Sequence, residues 1–207
     1  MTTTQPNSAT PPVYGLVMAG GQSARMGVDK SALDFYGKPQ VQFCWELLQG
    51  ILERVWVSTR KGAPGEKIFE GLPRIEDAYE DIGPMSGVVS AMEQEPEAAW
   101  LVLACDLPFI NEQAVRELLD GRDPARVATA FMASDGFFEP LCAVYEPHIA
   151  PLLKERLEAR RYSLRDVLND ADVRMVCPPE DRILTNVNTP QELEEARARL
   201  AAERAGL

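Results

Sequence analysis

Histidine is almost missing from this chain: His148 is the one copy among 207 residues. A zinc site built from clustered histidines is thereby excluded, and a Ser-His-Asp triad would rest wholly on that side chain. Positive charge is also short. Lys and Arg number 21 against 32 Asp and Glu, a formal charge of −11. A general nucleic-acid binder needs a basic face, so that class is set aside. No stretch approaches the roughly 20 apolar residues of a membrane span. Cys44, Cys105, Cys142 and Cys177 lie far apart and none forms Cys-x-x-Cys, which removes zinc ribbons and thioredoxin motifs. Their apolar surroundings, as in Val102-Leu103-Ala104-Cys105, predict buried free thiols. Met1 to Pro12 has neither the basic nor the apolar region of a secretory leader. The expectation is a reducing cytoplasm.

What is present is an ordinary globular composition, 45% hydrophobic and 26% charged, enough for one compact core. Residues 1–12, rich in Thr, Pro, Ser and Asn, read as a disordered tail, and residues 13–207 as a single domain. From Val13 onward, apolar strand-like runs alternate with amphipathic stretches. Ala99 to Ala104 is the most apolar run, as expected of a strand covered on both faces. Cys44, Leu47, Leu48 and Ile51 recur at helical spacing, as do Ala114, Val115, Leu118 and Leu119. Val127 to Met132 and Leu141 to Tyr145 predict paired strands around the turn Ser134-Asp135-Gly136. Thr189-Pro190-Gln191-Glu192 carries a helix cap, a proline at the first helical position and a glutamate three residues after the cap. Alternating β and α elements predict an α/β fold, a mainly parallel sheet with helices on both faces. Ligands of such sheets bind beyond the carboxyl ends of the strands.

Three segments fall at such ends, and a fourth lies just before the terminal helix. After Val13 to Ala19 come Gly20-Gly21, then Arg25 and Lys30. Glycines let backbone amides approach a ligand, and an Arg fork with a Lys point charge suits a triphosphate; an ordinary turn with two surface cations is the alternative. The spacing is neither a Rossmann fingerprint nor a Walker A loop. Asp106, in Cys105-Asp106-Leu107-Pro108, could hold Mg²⁺ or start a turn. Asp77, in Ile75-Glu76-Asp77, could accept hydrogen bonds from a ribose or base, or simply solvate a loop. Asn186 and Asn188 could enter a ligand site or organise the turn into Thr189. His148 reads as a surface or capping residue, and Tyr14, Trp45, Trp56 and Trp100 as core.

Taken together, Met18-Ala19-Gly20-Gly21-Gln22-Ser23-Ala24-Arg25-Met26-Gly27, Asp29-Lys30, Gly37-Lys38-Pro39, Ile75-Glu76-Asp77, Gly83-Pro84-Met85-Ser86-Gly87, Cys105-Asp106-Leu107-Pro108 and Asn186-Val187-Asn188-Thr189-Pro190 resemble the signature of the molybdenum cofactor guanylyltransferases, in order and spacing. The resemblance runs from Val13 to about Leu200. It implies a three-layer, Rossmann-like nucleotidyltransferase fold. It also implies a reaction: GMP passes from GTP to the phosphate of molybdenum-bearing molybdopterin, and pyrophosphate leaves. By position, Met18, Ala19, Gly20 and Gly21 would line the nucleotide, Arg25 and Lys30 hold the triphosphate, and Asp77 bind the guanosine. Asp106 would contact the nucleotide and ligate Mg²⁺, and Asn186 and Asn188 would lie on the acceptor side. A molybdoenzyme or its chaperone is the partner class that would receive the product. Two positions depart from the pattern: Met18 replaces the usual Leu, and Ser58 stands where some members place an Asn near the base. The alternatives are a molybdopterin cytidylyltransferase, a sugar-phosphate nucleotidyltransferase, or a silent nucleotide-binding module that delivers cofactor.

Overall fold

The structure, a computed structural model, describes residues 10–19, 30–60 and 66–204. Among these, seven strands form one sheet: β1 (Val13–Met18), β2 (Val55–Thr59), β3 (Arg74–Glu76), β4 (Ala99–Ala104), β5 (Ala128–Met132), β6 (Phe138–Tyr145) and β7 (Val173–Val176). Their order is β3-β2-β1-β4-β6-β5-β7. β6 pairs antiparallel with both β4 and β5, while every other pairing is parallel. The helices are α1 (Gln40–Gln49), α2 (Met85–Gln94), α3 (Glu112–Asp120), α4 (Ala150–Glu158), α5 (Leu164–Asn169) and α6 (Pro190–Arg204). The expected α/β sheet with helices on both faces is what the chain forms.

Alternation along each strand divides the core between two faces. Val17, Val57, Leu101 and Leu103 pack with Val41, Cys44 and Leu48 of α1 and with Ala114, Val115 and Leu118 of α3. Leu16, Met18, Trp100 and Val102 pack with α2, with Leu153 of α4 and with Leu164, Val167 and Leu168 of α5. Every residue of β4 is buried, as a continuously apolar run between two helical layers requires. Tyr14, Trp56 and Trp100 pack with centroids 5.4 to 5.9 Å apart, tilted or edge-on, with Trp100 fully buried and the other two packed against the core. His148 is exposed in the short 3-10 turn Pro147–Ile149.

A third cluster bears directly on the strand ends. Leu33, Phe35, Phe109, Val187, Ala196 and Leu200 pack together. They join the segment after residue 30, the segment after β4, and α6. All four cysteines are free, and Cys44, Cys105 and Cys142 are buried as expected. Cys177 departs from that expectation: it is exposed. It follows β7, the last strand of the sheet, where Arg174 and Met175 also face solvent, so its apolar neighbours do not enclose it. No helix among the described residues is long and apolar enough to cross a membrane.

Candidate active site at the carboxyl ends of the strands

The sheet changes direction between β1 and β4. From β1 the chain winds outward through α1 to β2 and then β3; it returns through α2 to β4 on the other side of β1. This is a topological switch point, where open α/β sheets take ligands. Met18 and Ala19 end β1 there, at 8% and 7% exposure. Backbone bonds stitch the neighbouring ends together: Ala19 N–H donates to Ser58 O at 3.2 Å, and Cys105 N–H to Met18 O at 3.4 Å. Gly20, Gly21 and Arg25 lie outside the described residues. Lys30 opens the 3-10 turn Lys30–Ala32.

Asp77 follows β3, two strands out from β1. Its N–H donates to Thr59 O at 2.9 Å, and its carboxylate accepts from Ser58 Oγ at 2.7 Å. Burial raises its pKa, against the lowering effects of the Ser58 hydroxyl and the Arg60 charge. Ser58, an apparent departure in sequence, is therefore fully buried and orients Asp77. The following loop is fastened to α2. Ser90 Oγ accepts from Ala78 N–H at 2.9 Å, and Ser86 Oγ accepts from Tyr79 N–H at 3.1 Å while donating to Tyr79 O at 2.7 Å. Gly87 lets α2 come this close. A Cβ there would lie 2.2 Å from Ser58 Oγ and 2.7 Å from Met18 Cε, so the glycine of Gly83-Pro84-Met85-Ser86-Gly87 is a packing requirement of the site.

Asp106 follows β4 and is half-buried. Its carbonyl accepts from Val187 N–H at 3.0 Å, which brings the Asn186-Val187-Asn188 turn against it. Asn186 is half-buried and Asn188 exposed. The capping residues read from sequence are formed: Glu192 N–H donates to Thr189 Oγ1 at 3.2 Å, and Glu192 Oε2 accepts from Thr189 N–H at 3.0 Å and from Asn188 N–H at 2.6 Å. Gly37-Lys38-Pro39 also acquires a structural reason. Asp34 Oδ1 accepts from the N–H groups of Gly37 and Lys38 at 2.6 and 3.1 Å, with Gly37 at φ +78°. Tyr36 Oη then donates to Pro108 O at 2.6 Å, and Gln40 Nε2 to Leu107 O at 3.4 Å. The loop beyond residue 30 is thus tied to the segment that carries Asp106.

Glu139 was not singled out in the sequence. It is 6% exposed at the start of β6. Burial, chiefly, raises its pKa, and the Asp106 charge adds to this; Leu141 N–H, Arg165 and the Asn186 side chain oppose it. A lone glutamate beside Pro140 carries no motif, and its burial follows from β6 lying between β4 and β5. Cys44 and Cys142 offer no nucleophile: burial pushes both thiols up, away from thiolate.

Among the described residues no group of three or more His, Cys, Asp or Glu gathers into a metal cage. The groups near the switch point are oxygen donors, Asp106 with Glu139 and Asn186 close by. A hard cation held by one or two carboxylates and completed by phosphate oxygens fits that donor set.

Sheet order and switch point define an α/β protein with a ligand crevice beyond the carboxyl ends of β1 and β4. Comparison with known proteins makes this specific: the family model described as the MobA-like NTP transferase domain matches residues 15–175, and the chain belongs to that family. It is 35% identical over 182 residues to the molybdenum cofactor biosynthesis bifunctional protein of Synechocystis, covering 87% of this chain and 52% of that protein. The chain thus spans about half the length of that relative. It is 29% identical to the molybdenum cofactor guanylyltransferase of Pseudomonas putida, covering 90% of this chain and 98% of the relative. Its fold resembles that of the molybdopterin-guanine dinucleotide biosynthesis protein A of Archaeoglobus fulgidus, with TM-score 0.77, 21% identity, and coverage of 91% and 98% of the two chains.

Proposed function

We propose that the chain transfers GMP from GTP to the terminal phosphate of molybdenum-bearing molybdopterin, forming the guanine dinucleotide cofactor and releasing pyrophosphate. The observation that carries this reading is the placement of Met18-Ala19, Asp77, Asp106 and the Asn186–Asn188 turn along the carboxyl end of one sheet, in a chain similar along almost its whole length to a guanylyltransferase.

The incoming nucleophile is a phosphate monoester oxygen, already anionic at neutral pH. A general base is unnecessary, which agrees with the shortage of histidine. The difficulty is to hold two anions together, and positioning with charge neutralisation is the general solution for phosphoryl transfer. In this reading Met18, Ala19, Gly20 and Gly21 line the nucleotide and Asp77 accepts hydrogen bonds from the guanosine. Arg25 and Lys30 hold the triphosphate. They keep the α-phosphorus in line while the new P–O bond forms and the bond to pyrophosphate breaks, and they take up the charge on the leaving group. Asn186 and Asn188 orient the acceptor. Asp106, with Glu139 nearby, would hold Mg²⁺, which when bound supplies Lewis-acid neutralisation of the phosphate oxygens. The free thiols fit a reducing cytoplasm, and the product passes to a molybdoenzyme or its chaperone.

The test is direct. Purified protein with Mg²⁺, GTP and molybdenum-loaded molybdopterin should yield the dinucleotide and one pyrophosphate per turnover, and Asp106→Ala should abolish it. Equal turnover with CTP would overturn the guanylyl assignment. GTP binding without product would favour a silent delivery module.

A further inference from the structure

We propose that Tyr36 is a positioning residue for Asp106: its hydroxyl fixes the backbone that presents the Asp106 carboxylate, and ties it to the segment opened by Lys30. The roles of Asp106 and Lys30 rest on the guanylyltransferase reading; the clamp on the backbone does not.

Three successive carbonyls carry the inference. Asp106 O accepts from Val187 N–H at 3.0 Å, Leu107 O from Gln40 Nε2 at 3.4 Å, and Pro108 O from Tyr36 Oη at 2.6 Å. Ile110 N–H also donates to Leu107 O, at 3.3 Å. Residues 105–110 are neither helix nor strand, so no regular ladder holds them. Their carbonyls are met instead from distant segments, with Tyr36 and Gln40 lying 72 and 67 residues away in the chain.

Tyr36 is built to hold such a carbonyl. Its ring stacks on Phe43, with centroids 4.0 Å apart and planes 8° from parallel. It also packs against the cluster of Leu33, Phe35, Phe109 and Val187. The loop that carries it closes on itself: Gln40 N–H donates to Leu33 O at 2.7 Å, and the Asp34 carboxylate accepts from Gly37 and Lys38. A hydroxyl on an immobilised ring loses little freedom on bonding, so its bond restrains the partner. Gln40 points the same way. It is fully buried, and among the described residues its Oε1 meets no donor. An apolar side chain would fill that place at the start of α1 without the penalty of a stranded oxygen. Its Nε2 bonds to Leu107 O and to Cys44 Sγ are what the structure sets against it. Residues 30–40 and 106–110 thus form one unit, and two groups that act on the same phosphates need a fixed separation.

The experiment measures GTP binding by calorimetry, with and without Mg²⁺, in wild type, Tyr36→Phe, Asp106→Asn and the double variant. Phenylalanine keeps the ring on Phe43 and removes only the hydroxyl. Tyr36→Phe should reduce the tightening that Mg²⁺ gives by about 5-fold, the effect of one hydrogen bond. GTP binding without metal should stay unchanged, because the loop around residue 36 keeps its own bonds. In the Asp106→Asn background the same substitution should have no further effect. A loss that is equal with and without Mg²⁺, or that persists in that background, overturns the proposal. Hydrogen exchange reads the clamp with no nucleotide present. The amides of Val187 and Ile110, bonded to Asp106 O and Leu107 O, should exchange about 5-fold faster in Tyr36→Phe. Unchanged protection overturns the positioning role. Faster exchange in a protein whose GTP affinity ignores Mg²⁺ would uphold the clamp on the Asp106 segment and overturn the metal role of Asp106 instead.

Discussion

Asp77 shows how the site is built against stability. Its carboxylate is half-buried, and the Ser58 hydroxyl that orients it does not fully offset the loss of water. The folded-state pKa is therefore raised. A raised carboxylate pKa contributes stability below the unfolded Asp value of about 4, and that contribution is lost as pH rises through the folded value. At neutral pH the ionised group is a liability that the fold tolerates. Asp77→Asn keeps the hydrogen bond to Ser58 but removes the charge. Its melting temperature should exceed that of wild type at pH 7, and the difference should shrink as pH falls toward 4, while turnover with GTP drops. A variant less stable than wild type at pH 7 would mean that Asp77 is stabilised as the anion. Gly87 makes the same point sterically: the residue is fixed by Ser58 and Met18 beside it, not by the needs of its own helix.

At the scale of elements, α6 begins on a complete set of caps, and Glu192 also holds Asn188 N–H of the preceding turn. Thr189→Ala removes the bond to Glu192 N–H and should cost about 1 kcal/mol, read as a lower midpoint in urea unfolding. An unchanged midpoint would show that Pro190 and Glu192 suffice. This helix start was legible in sequence because its chemistry is local. β4 was legible to the residue because both its faces are buried, and the hairpin of β5 and β6 because Ser134-Asp135-Gly136 marks the turn. Met18 and Asp106 could be placed at strand ends because such ends can be read from apolar runs. What sequence could not supply was long-range. Glu139 owes its burial to β6 lying between β4 and β5, Ser58 to the approach of α2, and exposed Cys177 to its strand lying at the sheet margin. None of these follows from neighbours in the chain.

Across the whole molecule, the two helical layers are joined at the end of the sheet opposite the site. Arg122, just beyond α3, donates to both oxygens of Glu146, at 2.6 and 2.8 Å. Their side chains are 11% and 0% exposed. Glu146 follows β6, and Tyr145 pairs with Trp100 near the start of β4, so this bridge lies about a strand's length from Asp106. Buried pairs of this kind add little over an apolar substitute, but breaking one leaves an uncompensated charge at a cost of roughly 3–5 kcal/mol. Domains of this size have about 5–15 kcal/mol in total. Arg122→Ala should therefore consume much of the margin and lower the unfolding midpoint steeply, while kcat/KM of the folded fraction stays near wild type. Replacing both partners, Arg122→Met with Glu146→Met, should recover most of the loss. A single variant as stable as wild type would show that Glu146 finds water or another partner. A double variant as weak as the single would assign the loss to packing rather than to the stranded carboxylate.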